Sequence, residues 1–158
     1  FLLQFFLVLS CAHPVNRLDK LLYLDAVNEI KALKHFYFKA CDNHDINSIR
    51  ACFTKDVEIN FEAFGEFKTI DSMLELYREK SINDGQIEFH FGKNPVITIS
   101  GDKANGQWAL SYTLLDITKL LLIKINGFYL DTYYCINGTR KIHSSIFKRS
   151  SSLMQKLS

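Results

Sequence analysis

Between Arg17 and Cys41 apolar residues recur every three or four positions, at Leu18, Leu21, Leu22, Ala26, Ile30, Leu33, Phe36, Tyr37 and Ala40, with neither Pro nor Gly among them. That period matches the helical repeat, so the segment is expected to form one long amphipathic helix. Asp42-Asn43-His44-Asp45 interrupts the pattern, and Asp45 is placed to accept backbone N–H bonds at the start of a short helix from Ile46 to Cys52. Short strands are expected at Val57 to Phe61 and Glu66 to Thr69, on either side of Gly65. Ile70, Met73, Leu74 and Tyr77 then mark one face of a third helix, Ile70 to Lys80.

Beyond Asn83-Asp84-Gly85 the pattern becomes β-rich, with strands expected at Ile87 to Phe91, Val96 to Ser100, Lys103 to Leu115, Phe128 to Ile136 and Lys141 to Phe147. Turn signals separate them at Asn94-Pro95, Gly101-Asp102 and Asn137-Gly138. Asn137-Gly138 is the sharpest, because a tight primed hairpin needs positive φ and these residues tolerate it. Helices first and an antiparallel sheet afterwards give an α+β order. The apolar stretch Thr118 to Ile125 is expected to extend a strand, flap over a pocket or form a subunit contact, and the polar tail after Ser150 is expected to fray.

Composition narrows the picture. The chain has 158 residues, 47% hydrophobic and 23% charged, enough for one buried core. Thirteen Phe and seven Tyr against one Trp make aromatics the main apolar volume, as expected where a sheet encloses a cavity. The net charge of +2 comes from interspersed charges without a basic run, which argues against nucleic acid as a partner. Residues 1–16 read as a hydrophobic leader, 17–150 as the domain and 151–158 as a polar tail. The leader is too short to span a bilayer; Leu9-Ser10-Cys11 is similar to a lipoprotein cleavage box, but no Met or basic stretch precedes it. Membrane attachment is expected only if Cys11 is lipidated, with an exported or envelope-anchored protein in that case and a cytoplasmic one otherwise. The cysteines are odd in number after cleavage and unpaired in spacing, and no zinc-type spacing occurs, so neither disulfides nor a metal is expected.

Several local patterns occur together and in order: Tyr37, Ala40-Cys41-Asp42-x-x-Asp45, Phe53-x-x-Asp56, Phe64-Gly65-x-Phe67, His90-x-x-x-Asn94-Pro95-x-Ile97, Gly101-Asp102-x-Ala104-x-Gly106-x-Trp108, Gly127-x-Tyr129-x-Asp131 and Asn137-Gly138-x-Arg140-Lys141-Ile142. From about Asn28 to Arg149 this series resembles the SnoaL-like, nuclear-transport-factor-2-like superfamily, and within it the bile-acid 7α-dehydratase type, with scytalone dehydratase and limonene epoxide hydrolase further off. The resemblance implies a cone-shaped α+β barrel, three N-terminal helices packed in a curved, mainly antiparallel mixed sheet. It also implies a cofactor-independent lyase or isomerase acting on a hydrophobic ring compound such as a steroid or polyketide, working as a homo-oligomer, a dimer or trimer.

The same resemblance places Tyr37, Asp42 and His90 in the catalytic positions of the dehydratases, with Trp108, Tyr112 and Tyr129 as substrate-lining candidates. The chemistry is coherent. An imidazole titrates near neutrality and can move a proton at carbon or at a leaving oxygen. Asp42 would orient it, and Tyr37 would hydrogen-bond the oxygen on which charge develops.

Each residue also has a plain structural reading: Tyr37 as core, Asp42 as a helix end, Trp108 and Tyr129 as core aromatics. In Ile87-Glu88-Phe89-His90-Phe91 the odd positions are apolar, so alternation alone turns His90 away from the Phe face and toward solvent. His35, His44 and His143 are expected at the surface, His13 lies in the leader, and Arg149 beside Lys148 reads as a solvated basic end. On the middle strand Tyr112 and Thr113 stand where the dehydratases carry an acidic or polar group, and the Asp-Arg-Asp arrangement of an epoxide hydrolase is missing. Rival readings are a non-catalytic ligand-binding or oligomerisation module of the same fold, and a polyketide cyclase or ketosteroid isomerase using a carboxylate base.

Overall fold

The computed structural model describes residues 16–62, 64–81 and 83–158, so the leader, Cys11 and His13 lie outside the described residues. Helix α1 runs Arg17–Asp42, started by the Asn16 side chain accepting from the Leu18 amide at 3.2 Å. It buries Ala26, Ile30, Lys34, Tyr37, Phe38, Ala40 and Cys41, the helical stripe with one cation set into it. Asp45 caps α2, Ile46–Ala51, by accepting from the Ser48 amide at 3.1 Å. Strand β1, Phe53–Phe61, and the short β2, Gly65–Phe67, lead to α3, Ile70–Ser81. Four long strands follow: β3 Gln86–Ser100, β4 Lys103–Asp116, β5 Leu121–Ile136 and β6 Thr139–Lys156. Among the described residues no helix is long and apolar enough to cross a membrane.

The six strands form one open mixed sheet in the order β2-β1-β6-β5-β4-β3, with β1 and β6 parallel and every other pair antiparallel. The sheet carries α1 against β3 and β6. This is the expected α+β architecture. The β5–β6 hairpin turns at Asn137 (φ 50°) and Gly138 (φ 75°), the two positive φ values the dipeptide signalled.

Two expectations need correction. Asn94-Pro95 is not a turn between two strands: β3 runs straight through it as a bulge. Lys93 pairs with Ala109 and Val96 with Gln107, so β3 carries one residue more than β4 there, with Asn94 at φ 48°. Pro95 has no N–H to give to the ladder, and a bulge leaves that group unneeded. The tail after Ser150 does not fray, because Ser151, Ser152, Leu153, Met154, Gln155 and Lys156 pair with Asn126 back to Leu121. That pairing makes the apolar 121–125 stretch a strand extension, and Ile123 and Ile125 also face the cavity described below.

A buried polar cluster joins helix to sheet. Lys34 Nζ lies 2.7 Å from Asp131 Oδ2, with both side chains fully buried. Tyr133 donates to Asp131 Oδ2 at 2.7 Å, Ser145 to Oδ1 at 2.7 Å, and Trp108 Nε1–H to the Tyr133 hydroxyl at 2.9 Å. The ammonium also sits 3.8 Å from the centroid of the Tyr129 ring. Burial pulls the Lys34 ammonium below the ordinary lysine range, and the Asp131 carboxylate beside it opposes that pull.

Candidate active site

Sheet and helices line a largely apolar, partly open cavity of about 290 Å³. Tyr37 reaches it from α1, Tyr77 and Met73 from α3, His90 and Glu88 from β3, Tyr112 from β4, Tyr129 from β5 and Phe147 from β6. Every layer of the fold therefore contributes.

His90 is the only imidazole on this wall among the described residues. Its alternation partner set is the reverse of the sequence expectation. Ile87, Phe89 and Phe91 are the exposed residues, at 40%, 46% and 55%, and Glu88 at 5% turns inward with His90. The bulge explains the inversion: beyond it the inward positions are the odd residues Ile97 and Ile99, which pack on the core. A strand that changes parity part-way cannot be read by one alternation.

Asp42 ends α1 and accepts twice from His90 at one oxygen, from the ring Nδ1 at 2.7 Å and from the backbone amide at 3.0 Å. A carboxylate can only accept, so Nδ1 carries the hydrogen and Nε2 is the basic nitrogen of the neutral ring. Asp42 itself does not line the cavity; it borders an outer depression with His35 and Phe38, and His90 stands between the two spaces, lining both. The ring packs against two aromatics, stacked on Phe38 at 5.7 Å and 11° and tilted by 53° against Tyr112 at 4.7 Å.

Tyr37 is 4% exposed and packs edge-on against Phe53 at 5.2 Å and 89°. Burial pushes the hydroxyls of Tyr37 and Tyr129 well above the ordinary phenol range. Tyr112 is raised likewise by burial and, next, by the Glu88 carboxylate beside it. Tyr77 follows the same direction and donates to the Cys41 carbonyl at 3.0 Å. These phenols remain neutral hydrogen-bond donors at any ordinary pH.

The structure brings Tyr37, His90, Tyr112 and Tyr129 onto one cavity and ties Asp42 to His90 from behind. Trp108 does not line that cavity; it borders the outer depression and belongs to the Lys34–Asp131 cluster. His35 is exposed, as expected, but His44 and His143 are not free surface residues. His44 pairs with Glu88 at 3.3 Å, and His143 stacks on Tyr134 at 4.0 Å and meets Thr54 at 3.1 Å. Arg149 lines the cavity beside Glu62, whose Oε2 accepts its backbone amide at 3.0 Å.

Glu88 and Lys34 were missed in the sequence. Lys34 had a signal, since it stands on the stripe Ile30-Lys34-Phe38 at helical spacing. Glu88 had none without the bulge. Among the described residues no group of three or more His, Cys, Asp or Glu is arranged to hold a metal, and Cys41, Cys52 and Cys135 are free thiols.

Comparison with known proteins agrees with this architecture. The structure of LinA superposes with a TM-score of 0.75 at 20% identity, over 82% of this chain and 88% of that one. A candidate scytalone dehydratase from Novosphingobium aromaticivorans gives 0.75 at 17% identity over 82% and 87%. ActVI-ORFA from Streptomyces coelicolor gives 0.70 at 11% identity over 80% and 98%. A search of curated protein sequences finds no match. Likeness at these identities establishes the fold. The family model of the SnoaL-like domain matches residues 23–145, most of the chain, and the protein therefore belongs to the SnoaL-like domain family.

Proposed function

We propose that the protein is a cofactor-independent lyase that removes a proton from carbon in a hydrophobic ring compound and expels a leaving group from the neighbouring carbon. The observation that carries this reading is the Asp42–His90 pair, whose imidazole opens on an apolar cavity while its carboxylate stays behind it. Asp42 holds Nδ1–H, so Nε2 acts as the base, and the developing imidazolium is stabilised by the carboxylate 2.7 Å away. Tyr37 donates a hydrogen bond to the substrate carbonyl oxygen as it gains enolate charge, which its burial makes more effective than in water. Tyr112 and Tyr129 line the space that receives the substrate.

The names of similar structures fit this class, which includes a hexachlorocyclohexane dehydrochlorinase and a candidate scytalone dehydratase. A non-catalytic binder would need the cavity but not an oriented imidazole in it.

The test is turnover of cyclic ketones bearing a β leaving group, followed by enone absorbance. The wild-type protein is expected to accelerate enone formation. His90→Ala is expected to lower kcat by ~10²–10⁴ with circular dichroism unchanged. Activity retained in His90→Ala, or ligand binding without any turnover across such substrates, would refute the lyase and leave a binding module.

A further inference from the structure

Glu88 opens on the same cavity as His90, two residues earlier on the same face of β3, and at 5% exposure it is buried. Its Oε1 lies 3.3 Å from His44 Nε2. His44 follows α1 at φ 54°, in the turn that also carries Asp42, so one turn supplies a partner to each of two inward residues of β3. The two pairs face the cavity in opposite senses. In Asp42–His90 the imidazole lines the wall and the carboxylate is behind; in His44–Glu88 the carboxylate lines the wall and the imidazole is behind. Tyr77 closes over the second pair, its ring 6.5 Å from that of His44.

We propose that Glu88 is the leaving-group residue of the site and that the group it handles is a hydroxyl, to which it gives a proton as the C–O bond breaks. This rests on the lyase reading above. Two residues of strand separate the backbone positions of the two groups by about 6.6 Å, a span on which one addresses a C–H and the other a substituent on the adjacent carbon. Hydroxide departs poorly without a proton, whereas chloride needs none. A protonated Glu88 carboxyl donates a hydrogen bond to the oxygen of the substrate hydroxyl and passes it that proton as the C–O bond breaks.

The step balances within the protein. His90 Nε2 takes the proton from carbon, and the C–H electrons become the new C=C bond. The C–O bond breaks with its electron pair on oxygen, and that oxygen takes the proton held by the protonated His44–Glu88 pair and leaves as water. His90 is then one proton richer and the other pair one poorer, and exchange with solvent restores both.

The experiment compares 3-hydroxycyclohexanone and 3-chlorocyclohexanone, which yield the same enone, with wild type, Glu88→Gln and His90→Ala. Gln keeps the shape and the hydrogen-bonding oxygen but cannot pass a proton. Glu88→Gln is expected to lower kcat/KM on the alcohol by ~10² or more while the chloride changes by less than about threefold, and His90→Ala to lower both. An equal loss on both substrates, or none on the alcohol, overturns the assignment. If wild type converts neither ketone, the lyase reading falls, and binding alone judges Glu88. Calorimetry then compares 2-decalol with decalin. A wild-type preference for the alcohol of roughly tenfold, abolished in Glu88→Leu, sustains the hydroxyl contact; equal affinities overturn it.

Discussion

One oxygen of Asp42 accepts both the ring Nδ1–H and the backbone N–H of His90, so the carboxylate ties the side chain to its own main chain. The ring is left no freedom about χ1 that keeps both bonds. Asp42→Asn preserves an acceptor oxygen but removes the charge that stabilises the imidazolium. It is expected to lower kcat less than His90→Ala does, with KM little changed, because ground-state binding does not use the charge. Steady-state kinetics on the two variants checks the order; an Asp42→Asn enzyme slower than His90→Ala would contradict it.

Gly92 is required by Phe38. A Cβ at position 92 would stand 2.5 Å from Phe38 Cε2, and Phe38 is itself confined at 4% exposure between Tyr37, Tyr129 and His90. Gly92→Ala is therefore expected to cost about 1–3 kcal/mol in urea denaturation, an overpacking penalty, and to disturb the His90 ring that Phe38 supports. Adding Phe38→Leu should recover part of the stability. Recovery of stability without recovery of rate would separate the packing role of Phe38 from its support of the imidazole.

The fully buried Lys34–Asp131 pair makes single and double substitutions differ in a definite way. Asp131→Asn keeps one acceptor oxygen where Ser145 and Tyr133 use two, and it strands the Lys34 ammonium, for an expected loss of about 3–5 kcal/mol. Lys34→Met with Asp131→Asn removes both charges and should lose less than Asp131→Asn alone. Equilibrium unfolding of the three proteins checks the inequality.

Asp116 supplies a pH signature at the β4–β5 turn. Its carboxylate accepts from Thr118 Oγ1 at 2.7 Å, the Lys119 amide at 2.9 Å and Gln86 Nε2 at 3.2 Å. The Thr118 hydroxyl first, then the Lys119 amide, hold its pKa below the ordinary carboxylate value of 3.8. A folded-state pKa below the unfolded one gives stability that is full above the unfolded value and is lost as pH falls toward the folded one. The stability gap between wild type and Asp116→Asn should be constant near neutrality and close progressively below pH 3.8. A gap that persists unchanged in acid would mean the charge is not what the turn uses.

Much of the fold was legible because its signals are local. The α1 stripe follows one period over Arg17–Asp42, Asp45 caps what its position predicts, and Asn137-Gly138 needs only its own φ values to make the hairpin. The site was legible in part, for a different reason. Tyr37 and Asp42 sit on a regular helix end, whereas the direction of His90 depends on a bulge several residues further along β3. That is why Glu88 reads as solvated in sequence and is buried in the structure, and why three Phe and Ile side chains that read as core stand on the outer face. Lys34 and Trp108 show a second limit. What becomes of a cation on an apolar stripe, or an indole on a strand, depends on Asp131 and Tyr133, far away in the chain.

The bulge between Lys93 and Val96 also makes β3 a counter of odd and even. Removing a single residue there would restore a regular ladder yet force a choice: either Glu88 and His90 rotate outward and the chemistry is lost, or Ile97 and Ile99 do and the core is. Removing or adding two residues would preserve parity on both sides. Codon-sized insertions and deletions in this short stretch should therefore be tolerated in pairs and refused singly, a constraint on heritable length variation that no individual side chain imposes.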